Sequence, residues 1–540
     1  MPAAAGSRAT AIPTGLPRIS DYPAIVAEVD PGRVAAILGD GSLNYGELAR
    51  RIDESARAML AHGITKGDRI AILSTPRPEY LVLLLAALRI GAIVVGLNPV
   101  HQTDEYRQVI ADCAPRLLFA FGRSRGLDKL KALLALKQEF RCVETWVDLE
   151  PEEGRSFGVS LAAFLQAGTA TTPAAYRAAV ELVSPDDVAL IVHTSGSTGR
   201  PKGAMITHGN LARCADIQLE MFRAAPLRAL CNLPITHTAC SSDIVAYTIA
   251  GGGTLIFQEQ FDPRGVLALI EAQRVTFLLQ VTAMYHSILR AHAGRAHDTS
   301  SLRYVFFLGA PLPRDMIADL MALGGKVITG WGLTESTTSV TFTEPGDDLD
   351  ILAHSVGRPA PPHALRIVDE ADNALPVGES GEVLVHGPCV MAGYYRQPEA
   401  TAAAMTADGW LRSGDLGRID ADGRLSLVGR IKDMFKSGGY NVYPREVEIV
   451  LESHPSIALA TVVAVPDPVY YEVGCAYLVC KPGCRVEEGD VVAFCRTRLA
   501  NYKLPKYIRF REELPMLSIG KVDKVALRTE ALRWRRAWEE

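Results

Sequence analysis

Several signatures of metal-binding and secreted proteins are missing from this 540-residue sequence. Its ten cysteines are scattered, with Cys480 and Cys484 as the closest pair, and its twelve histidines form no HExxH pattern. The spacing predicts reduced thiols and no zinc site. The first fifteen residues lack the apolar core of a signal peptide. We therefore expect a cytoplasmic protein.

Long apolar runs and an excess of basic charge are also missing. The very apolar residues 81–95 are interrupted by Arg89 and Gly91 and fall short of the roughly 20 residues that cross a bilayer. They fit a buried helix followed by a buried strand, so we expect no stable membrane insertion. A net charge of -5 gives no reason to expect a nucleic-acid partner.

What is present indicates a globular protein of two or more domains, because 540 residues exceed one compact core. Apolar strand patterns alternate with helical patterns in the first part of the chain, at residues 48–62, 69–73, 79–90, 92–95, 103–106 and 117–120. Such alternation predicts parallel sheets with helices on their faces.

Two further regions differ from this alternation. Residues 122–185 are looser in pattern, and we identify no chemistry in them. From Pro444 the pattern becomes that of a small α+β unit, with helices at 445–451 and 490–500 and strands at 458–465 and 475–479.

The most informative stretch is residues 194–203, a loop of hydroxyls and glycines that follows the apolar strand pattern 188–192. Glycines let the backbone approach a polyphosphate, hydroxyls donate to its oxygens, and Lys202 adds a positive charge. The loop is not the common nucleotide P-loop, because Arg200 and Pro201 separate Gly199 from Lys202. The alternative is a solvated surface loop.

A second motif lies at residues 330–335, after the strand pattern 326–329. Trp331 can stack on adenine, Thr334 can reach a phosphate, and Glu335 can hold Mg²⁺, which prefers oxygen ligands. The alternative is an exposed loop with an acidic tip.

These two motifs and three further segments, residues 409–416, 429–442 and 518–524, resemble motifs of the adenylate-forming superfamily and occur in the same order. That superfamily includes acyl-CoA synthetases, peptide-synthetase adenylation domains and beetle luciferases. The resemblance extends from about Ser42 to Arg528. It implies an α/β fold with a large N-terminal domain of parallel-rich sheets and packed helices, residues 1–429. A hinge at 430–433 would join it to a small, mobile α+β C-terminal domain, residues 434–540.

The resemblance also assigns roles in nucleotide binding. It implies that Asp415 binds the ribose, that Arg430 contacts ribose or phosphate, and that Lys432 is the hinge. The implied ATP-binding residues are Thr194, Ser195, Gly196, Ser197, Thr198, Gly199, Lys202, Gly309, Ala310, Pro311, Trp331, Asp415, Arg430 and Lys432. The family usually has tyrosine where Trp331 stands and threonine where Ser413 stands.

Catalysis and acyl binding are assigned in the same way. The implied catalytic residues are Lys521, Glu335, Thr334 and Lys436, with Glu335 as the metal ligand. Gly438 and Gly439 would face the CoA thiol. The implied acyl pocket contains His237, Met284, Tyr285, Gly309 and Gly332. The approach to Lys521 departs from the family pattern at residues 515–518, but Gly520 and Lys521 are intact.

The implied activity is that of an ATP-dependent, AMP-forming acid–CoA ligase that uses ATP, Mg²⁺ and CoA. Family frequency favours a fatty or other hydrophobic carboxylic acid as its substrate. An aryl-acid–CoA ligase and an enzyme that loads a carrier protein are alternatives within the class. A non-catalytic nucleotide-binding protein is a third, although Lys202, Lys432, Lys436 and Lys521 are all present. The resemblance also allows a homodimer.

Overall fold

Two large sheets form the centre of the protein, as seen in a computed structural model. The structure describes residues 12–124, 126–194, 201–223, 225–294, 297–308, 312–517 and 522–539. In these parts, the strands up to residue 430 are β1 Val34–Leu38, β2 Gly41–Asn44, β3 Arg69–Leu73, β4 Ile93–Leu97, β5 Leu117–Ala120, β6 Arg123–Ser124, β7 Leu127–Asp128, β8 Thr145–Asp148, β9 Val159–Ser160, β10 Val188–Thr194, β11 Lys202–Thr207, β12 Arg228–Cys231, β13 Thr254–Phe257, β14 Phe277–Val281, β15 Tyr304–Leu308, β16 Lys326–Gly332, β17 Ser339–Phe342, β18 Arg358–Pro359, β19 Ala364–Val368, β20 Gly381–His386, β21 Gly393–Tyr394, β22 Leu411–Ile419 and β23 Leu425–Arg430.

The helices of the same region cover the sheet faces. They are α1 Tyr22–Val29, α2 Tyr45–Ala61, α3 Pro78–Arg89, α4 Thr103–Cys113, α5 Leu130–Glu139, α6 Leu161–Ala167, α7 Pro173–Glu181, α8 His208–Met221, α9 Tyr247–Ala250, α10 Pro263–Gln273, α11 Thr282–Gly294, α12 Arg314–Ala322, α13 Leu349–His354 and α14 Pro398–Ala404. A π-helix at Ala239–Ala246 leads into α9, and 3-10 turns occur at Ile19–Asp21, Gly168–Ala170, Thr334–Ser336 and Ile431–Asp433.

The two large sheets are parallel at their centres and antiparallel at their edges. One has nine strands in the order β18-β17-β16-β15-β14-β12-β13-β1-β2, and the other has eight in the order β21-β11-β10-β4-β3-β5-β8-β9. Strands β12 to β16 pair in parallel, whereas β17 and β18 add antiparallel pairs at one edge. The predicted parallel-rich α/β fold is thus confirmed.

The main hydrophobic core takes side chains from both sheets, including Val94 of β4 and Phe306 of β15, together with the helices between them. Helix α3 is buried on all sides from Tyr80 to Leu88, which explains why its sequence is apolar throughout rather than on one face. It is followed by β4, as residues 81–95 predicted. No helix in the described segments is long and apolar enough to cross a membrane.

The looser region 122–185 is more regular than the sequence indicated. It contains α5, α6 and α7 and adds β8 and β9 to the edge of the eight-stranded sheet. These helices are short, with 10, 7 and 9 residues. Two of them are capped by hydroxyl side chains, Ser160 for α6 and Thr172 for α7. Such caps mark where a helix begins, and a search for apolar patterns does not detect them.

The C-terminal part is a separate α+β unit, as predicted. Its elements are β24 Phe435–Ser437, β25 Tyr440–Val442, α15 Pro444–Glu452, β26 Ile457–Asp467, β27 Tyr471–Cys480, α16 Glu488–Arg496, a 3-10 turn at Asn501–Lys503, β28 Tyr507–Arg511 and α17 Lys524–Glu539. Strands β24 to β28 form one sheet with its own apolar cores.

A group of charged side chains joins the helices of this unit to its sheet. Glu448 of α15 lies 2.7 Å from the Lys524 ammonium, and Arg445 lies 2.9 Å from Glu452. Glu448 also accepts a hydrogen bond from the backbone N–H of Val462 in β26 at 2.9 Å. The group therefore anchors the start of α17, three residues after Lys521.

Candidate active site

The predicted phosphate loop connects two antiparallel neighbours, β10 and β11. Thr194 ends one strand and pairs in register with Lys202, which begins the other. The Thr194 hydroxyl donates to the Lys202 carbonyl at 3.4 Å. The residues between them that carry predicted contacts, Ser195, Gly196, Ser197, Thr198 and Gly199, lie outside the described residues. The strands fix both ends of the loop at one edge of the sheet.

Glu335 and Lys202 are brought together by Tyr394. Strand β21 pairs with β11 so that Tyr394 lies opposite Ala204. The Tyr394 hydroxyl donates to Glu335 Oε1 at 2.7 Å, and the Lys202 ammonium lies 5.0 Å from the centroid of the Tyr394 ring. Burial, followed by the Glu335 charge, raises the pKa of Tyr394, so its hydroxyl stays protonated and orients the carboxylate.

Sequence reasoning missed Tyr394. Its only signal is the glycine before it, because Gly393 has φ of 133° and a Cβ there would lie 2.8 Å from a Thr401 side-chain atom. That signal predicts a tight backbone position but not a contact with a carboxylate 59 residues earlier.

The turn Thr334–Ser336 presents Thr334 and Glu335 at the end of β16, where both are partly exposed. The Ser336 hydroxyl accepts from the Leu333 N–H at 2.8 Å. The Thr337 hydroxyl donates to the Cys389 carbonyl at 2.7 Å. These bonds hold the turn against the segment that leads to β21, on the side where Tyr394 lies.

A second residue that sequence reasoning missed lies behind this turn. Asp243, in the π-helix, accepts from Gln218 Nε2 at 2.6 Å and from the Thr338 hydroxyl. Burial raises the pKa of Asp243 to about 7, although both hydrogen bonds act to lower it. The π-helix turns this carboxyl inward, where it binds the side chain of Thr338, four residues after Thr334.

The predicted nucleotide residues Trp331, Asp415 and Arg430 meet in one place. The Trp331 indole N–H donates to Asp415 Oδ2 at 2.8 Å, and Arg430 Nε lies 2.9 Å from Asp415 Oδ1. Asp415 and Arg430 are directly opposed in the β22–β23 pair. The indole at this position therefore fixes the carboxylate as well as offering a ring. Gly309, Ala310 and Pro311 lie outside the described residues.

The predicted acyl-pocket residues do not all lie in the same part of the fold. His237 Nδ1 accepts from the Ala239 N–H at 3.1 Å, just before the π-helix, and Met284 is partly buried against the main core. Tyr285 lies in a different core, fully buried, with its hydroxyl donating to the Leu278 and Phe306 carbonyls. Its side chain thus packs the interior behind α11. At Gly332 a Cβ would lie 2.1 Å from the Thr338 carbonyl oxygen, so the neighbouring strand requires glycine.

The residues predicted for domain rotation and CoA transfer lie at the start of the C-terminal unit. Lys432 is exposed in the 3-10 turn Ile431–Asp433, and Lys436 is exposed in β24. Gly438 and Gly439 have φ of 57° and 87° and join β24 to β25, as a two-residue hairpin turn requires. Lys521 lies outside the described residues.

Comparisons with known proteins identify the family of this chain. The AMP-binding enzyme family matches residues 24–395, and the AMP-binding enzyme C-terminal domain matches residues 446–521. A feruloyl-CoA synthase from Amycolatopsis sp is 35% identical over 94% of this chain and 98% of its own length. A medium-chain fatty-acid–CoA ligase from Escherichia coli (strain K12) is 33% identical over 95% and 90%.

A solved structure extends the likeness to three dimensions. The ATP-bound structure of MatB from Rhodopseudomonas palustris superimposes with a TM-score of 0.83 at 30% identity, over 95% of this chain and 98% of that one. Family match, full-length relatives and fold agree along nearly the whole chain. The chain therefore belongs to the AMP-binding enzyme family.

Proposed function

We propose that this protein is an ATP-dependent, AMP-forming carboxylic acid–CoA ligase. The observation that carries the proposal is the arrangement of Lys202, Tyr394 and Glu335 at the β10–β11 loop. It combines a positive charge and an oriented carboxylate where a polyphosphate would lie. Relatives over at least 90% of this chain are named feruloyl-CoA synthase and medium-chain fatty-acid–CoA ligase, which supports CoA as the acyl acceptor.

In the first half-reaction, an oxygen of the substrate carboxylate attacks the α-phosphorus of ATP, and the bond to the pyrophosphate oxygen breaks. Negative charge increases on the phosphate oxygens, so catalysis depends on positioning and electrostatic stabilisation. Lys202, Thr194 and Thr334 would supply donors, and Lys521 would add a second positive charge. The Trp331–Asp415–Arg430 group would hold adenine and ribose.

The residues present fit a magnesium ion. Glu335 offers a carboxylate, the ligand type that Mg²⁺ prefers, and Tyr394 occupies only one of its oxygens. Bound Mg²⁺ would neutralise phosphate charge. The chain's contribution is to hold the Glu335 carboxylate at the end of β16 and next to Lys202.

In the second half-reaction, the CoA thiol attacks the acyl-AMP carbonyl, AMP leaves, and a thioester forms. We place the boundary of the large domain at residue 429 and the pivot at 430–433. Rotation of residues 434–540 would withdraw Lys521 and bring Lys436, Gly438 and Gly439 to the thiol, as hinge motions at element ends do.

The substrate in this proposal is a fatty or other hydrophobic acid. An aryl acid is the second candidate, because relatives at 35% and 33% identity are named feruloyl-CoA synthase and indoleacetate–CoA ligase. We also place the enzyme in the cytoplasm, where ATP and CoA are available, and allow a homodimer.

The test is incubation with ATP, CoA, Mg²⁺ and a panel of fatty and aryl acids, with AMP, ADP and acyl-CoA measured separately. We expect AMP and acyl-CoA in equal amounts. ADP as the product would refute the AMP-forming chemistry, and acyl-AMP without acyl-CoA would indicate a carrier protein as the acceptor.

The variant Lys521→Ala tests the role of the C-terminal unit in the first half-reaction. Removing one such charge donor should slow adenylation by about 10²–10³ and spare thioester formation from supplied acyl-AMP. The measurements are pyrophosphate release without CoA and acyl-CoA formed from acyl-AMP. Equal losses in both would contradict the assigned role.

A further inference from the structure

Three metal-ligating side chains meet beside the β10–β11 loop. Asp112 and Cys113 form the last turn of α4, and His193 precedes Thr194 in β10. His193 Nε2 lies 3.0 Å from Asp112 Oδ2, and Cys113 Sγ lies 3.9 Å from His193 Nε2 and 4.0 Å from Asp112 Oδ2. Within the described part of the chain, this is the one group of three such side chains with ligand atoms this close.

These separations suit a tetrahedral ion. Zinc lies about 2.0–2.2 Å from nitrogen and oxygen ligands and about 2.3 Å from sulfur, so its ligand atoms are roughly 3.3–3.6 Å apart. Each observed separation is within about half an ångström of that range. Two of the three separations involve Asp112 Oδ2, whose side chain is partly exposed and can rotate.

The three side chains lie at the boundary between the interior and the surface. Cys113 is fully buried, while 13% of the His193 side chain and 30% of the Asp112 side chain are exposed. Gly203 pairs with His193 across the β10–β11 ladder. A Cβ at Gly203 would lie 2.6 Å from Ile191 Cγ2, 3.4 Å from His193 Nε2 and 3.7 Å from Asp112 Oδ2, so a larger residue there would clash with Ile191 and contact both ligand atoms.

Two arginines lie near the group, and both form hydrogen bonds to backbone carbonyls at the end of α4. Arg69 donates to the Cys113 carbonyl at 2.8 Å, and Arg396 donates to the Asp112 carbonyl at 3.4 Å. Both guanidinium groups are thus directed to backbone oxygens, and the hydrogen bond of the Asp112 carboxylate is to His193.

We propose that Asp112, Cys113 and His193 form a binding site for one thiophilic divalent cation, of the class of Zn²⁺, with water as the fourth ligand. Sulfur and imidazole ligands select such an ion over Mg²⁺, so the site is distinct from the one at Glu335. The ion would join the end of α4 to the strand that enters the β10–β11 loop. A search for paired cysteines does not find this group, because it has one cysteine and its histidine lies 80 residues later in the chain.

The test is metal binding by the purified full-length protein, which does not depend on the proposed activity. After equilibrium dialysis against micromolar Zn²⁺ with excess Mg²⁺, we expect one bound zinc per chain by elemental analysis and a higher Tm. Co²⁺ should give a thiolate-to-cobalt absorption band. His193→Gln and Cys113→Ser should each lose the ion, the band and the Tm increase.

Cys484→Ser is the matched control, because Cys484 is an exposed free thiol outside the cluster and its loss should change nothing. His193→Gln keeps the buried thiol in place, so its Tm without metal checks that the variant folds. Absence of bound zinc in the wild type, or equal zinc in the wild type and both ligand variants, would overturn the proposal.

Discussion

At the scale of single residues, the carboxylate of Asp415 is the best-defined part of the candidate nucleotide site. It is 4% exposed and is held from two directions, by the Trp331 indole and by Arg430. The sequence predicted that these three residues share a site. It did not predict the indole hydrogen bond, because a motif identifies the type of side chain and not the direction of its donor.

Trp331→Phe should weaken ATP binding while keeping an aromatic ring. Losing a hydrogen bond to a charged group costs about 1.5–3 kcal/mol, so we expect KM for ATP to rise roughly tenfold or more with a smaller change in kcat. Trp410→Phe is the control, since Trp410 packs on Arg366 and His386 instead. An unchanged KM for ATP would show that the indole bond does not support the nucleotide site.

Glu335→Gln should increase the magnesium concentration needed for half-maximal rate, because an amide is a weaker ligand than a carboxylate for a hard cation. Tyr394→Phe removes the hydrogen bond but keeps the carboxylate, so its magnesium dependence should shift less. Initial rates measured over a range of Mg²⁺ concentrations at fixed ATP give the magnesium dependence of both variants. If the wild type and Glu335→Gln need the same magnesium, Glu335 is not the metal ligand.

At the scale of elements, the sequence predicted most of the helices that have a strong apolar period and most of the buried strands. The pair α3 and β4 is an example. It missed α5 to α7, where short helices depend on caps and on packing against distant elements. It also missed Tyr394 and Asp243, because their partners lie 59 and 95 residues away. In the C-terminal unit, the sequence indicated α15 but not the charged group that joins it to α17.

Lys524→Met should destabilise the C-terminal unit at neutral pH. Burial acts to raise the pKa of Glu448, but Lys524 and Arg445 outweigh it, so the pKa lies below its ordinary 4.5. A lowered pKa in the folded state contributes stability above about 4.5, and that stability is lost as pH falls through the folded value. Because the Lys524 side chain is 34% exposed, we expect a loss of about 1–2 kcal/mol.

The measurement is the free energy of unfolding of this variant at pH 7 and below pH 4. The difference from the wild type should shrink in acid, where Glu448 is protonated. Lys131→Met replaces an exposed lysine in α5 and should cost little at either pH. A loss that is as large in acid as at pH 7 would mean that packing, and not the ion pair, accounts for it.

At the scale of the whole molecule, two units are joined by one short connection between β23 and β24. The change in pattern near Pro444 predicted the small unit. Sequence could not predict how strands far apart in the chain order themselves in the two large sheets. Parallel neighbours such as β1 and β13 are far apart in sequence, with Ala36 paired to Leu255, and their pairing depends on the packed core rather than on local pattern.

Lys432→Pro should slow CoA transfer far more than adenylation. Proline fixes φ at its own position and disfavours helical conformation at Ile431, which starts the 3-10 turn Ile431–Asp433. A connection restricted in this way cannot absorb the dihedral changes of a rotation. Pyrophosphate release without CoA and acyl-CoA formed from supplied acyl-AMP measure the two half-reactions.

Lys432→Ala is the control, since it removes the same side chain but leaves the backbone free, and it should retain both half-reactions. Unimpaired transfer in Lys432→Pro would rule out this position as the pivot. Equal loss of both rates with a lowered Tm would show that the substitution disrupts folding.

The ion pair between Asp415 and Arg430 connects nucleotide binding to the proposed pivot. Arg430 is the last residue of β23, and the next residue begins the turn that we propose as the pivot. A ribose that uses the Asp415 carboxylate must share or displace Arg430, so arrival and departure of the nucleotide change the restraint on the pivot. We expect the small unit to be freed or held according to whether AMP is still bound. The same carboxylate would then set the order in which the thioester and AMP leave the enzyme.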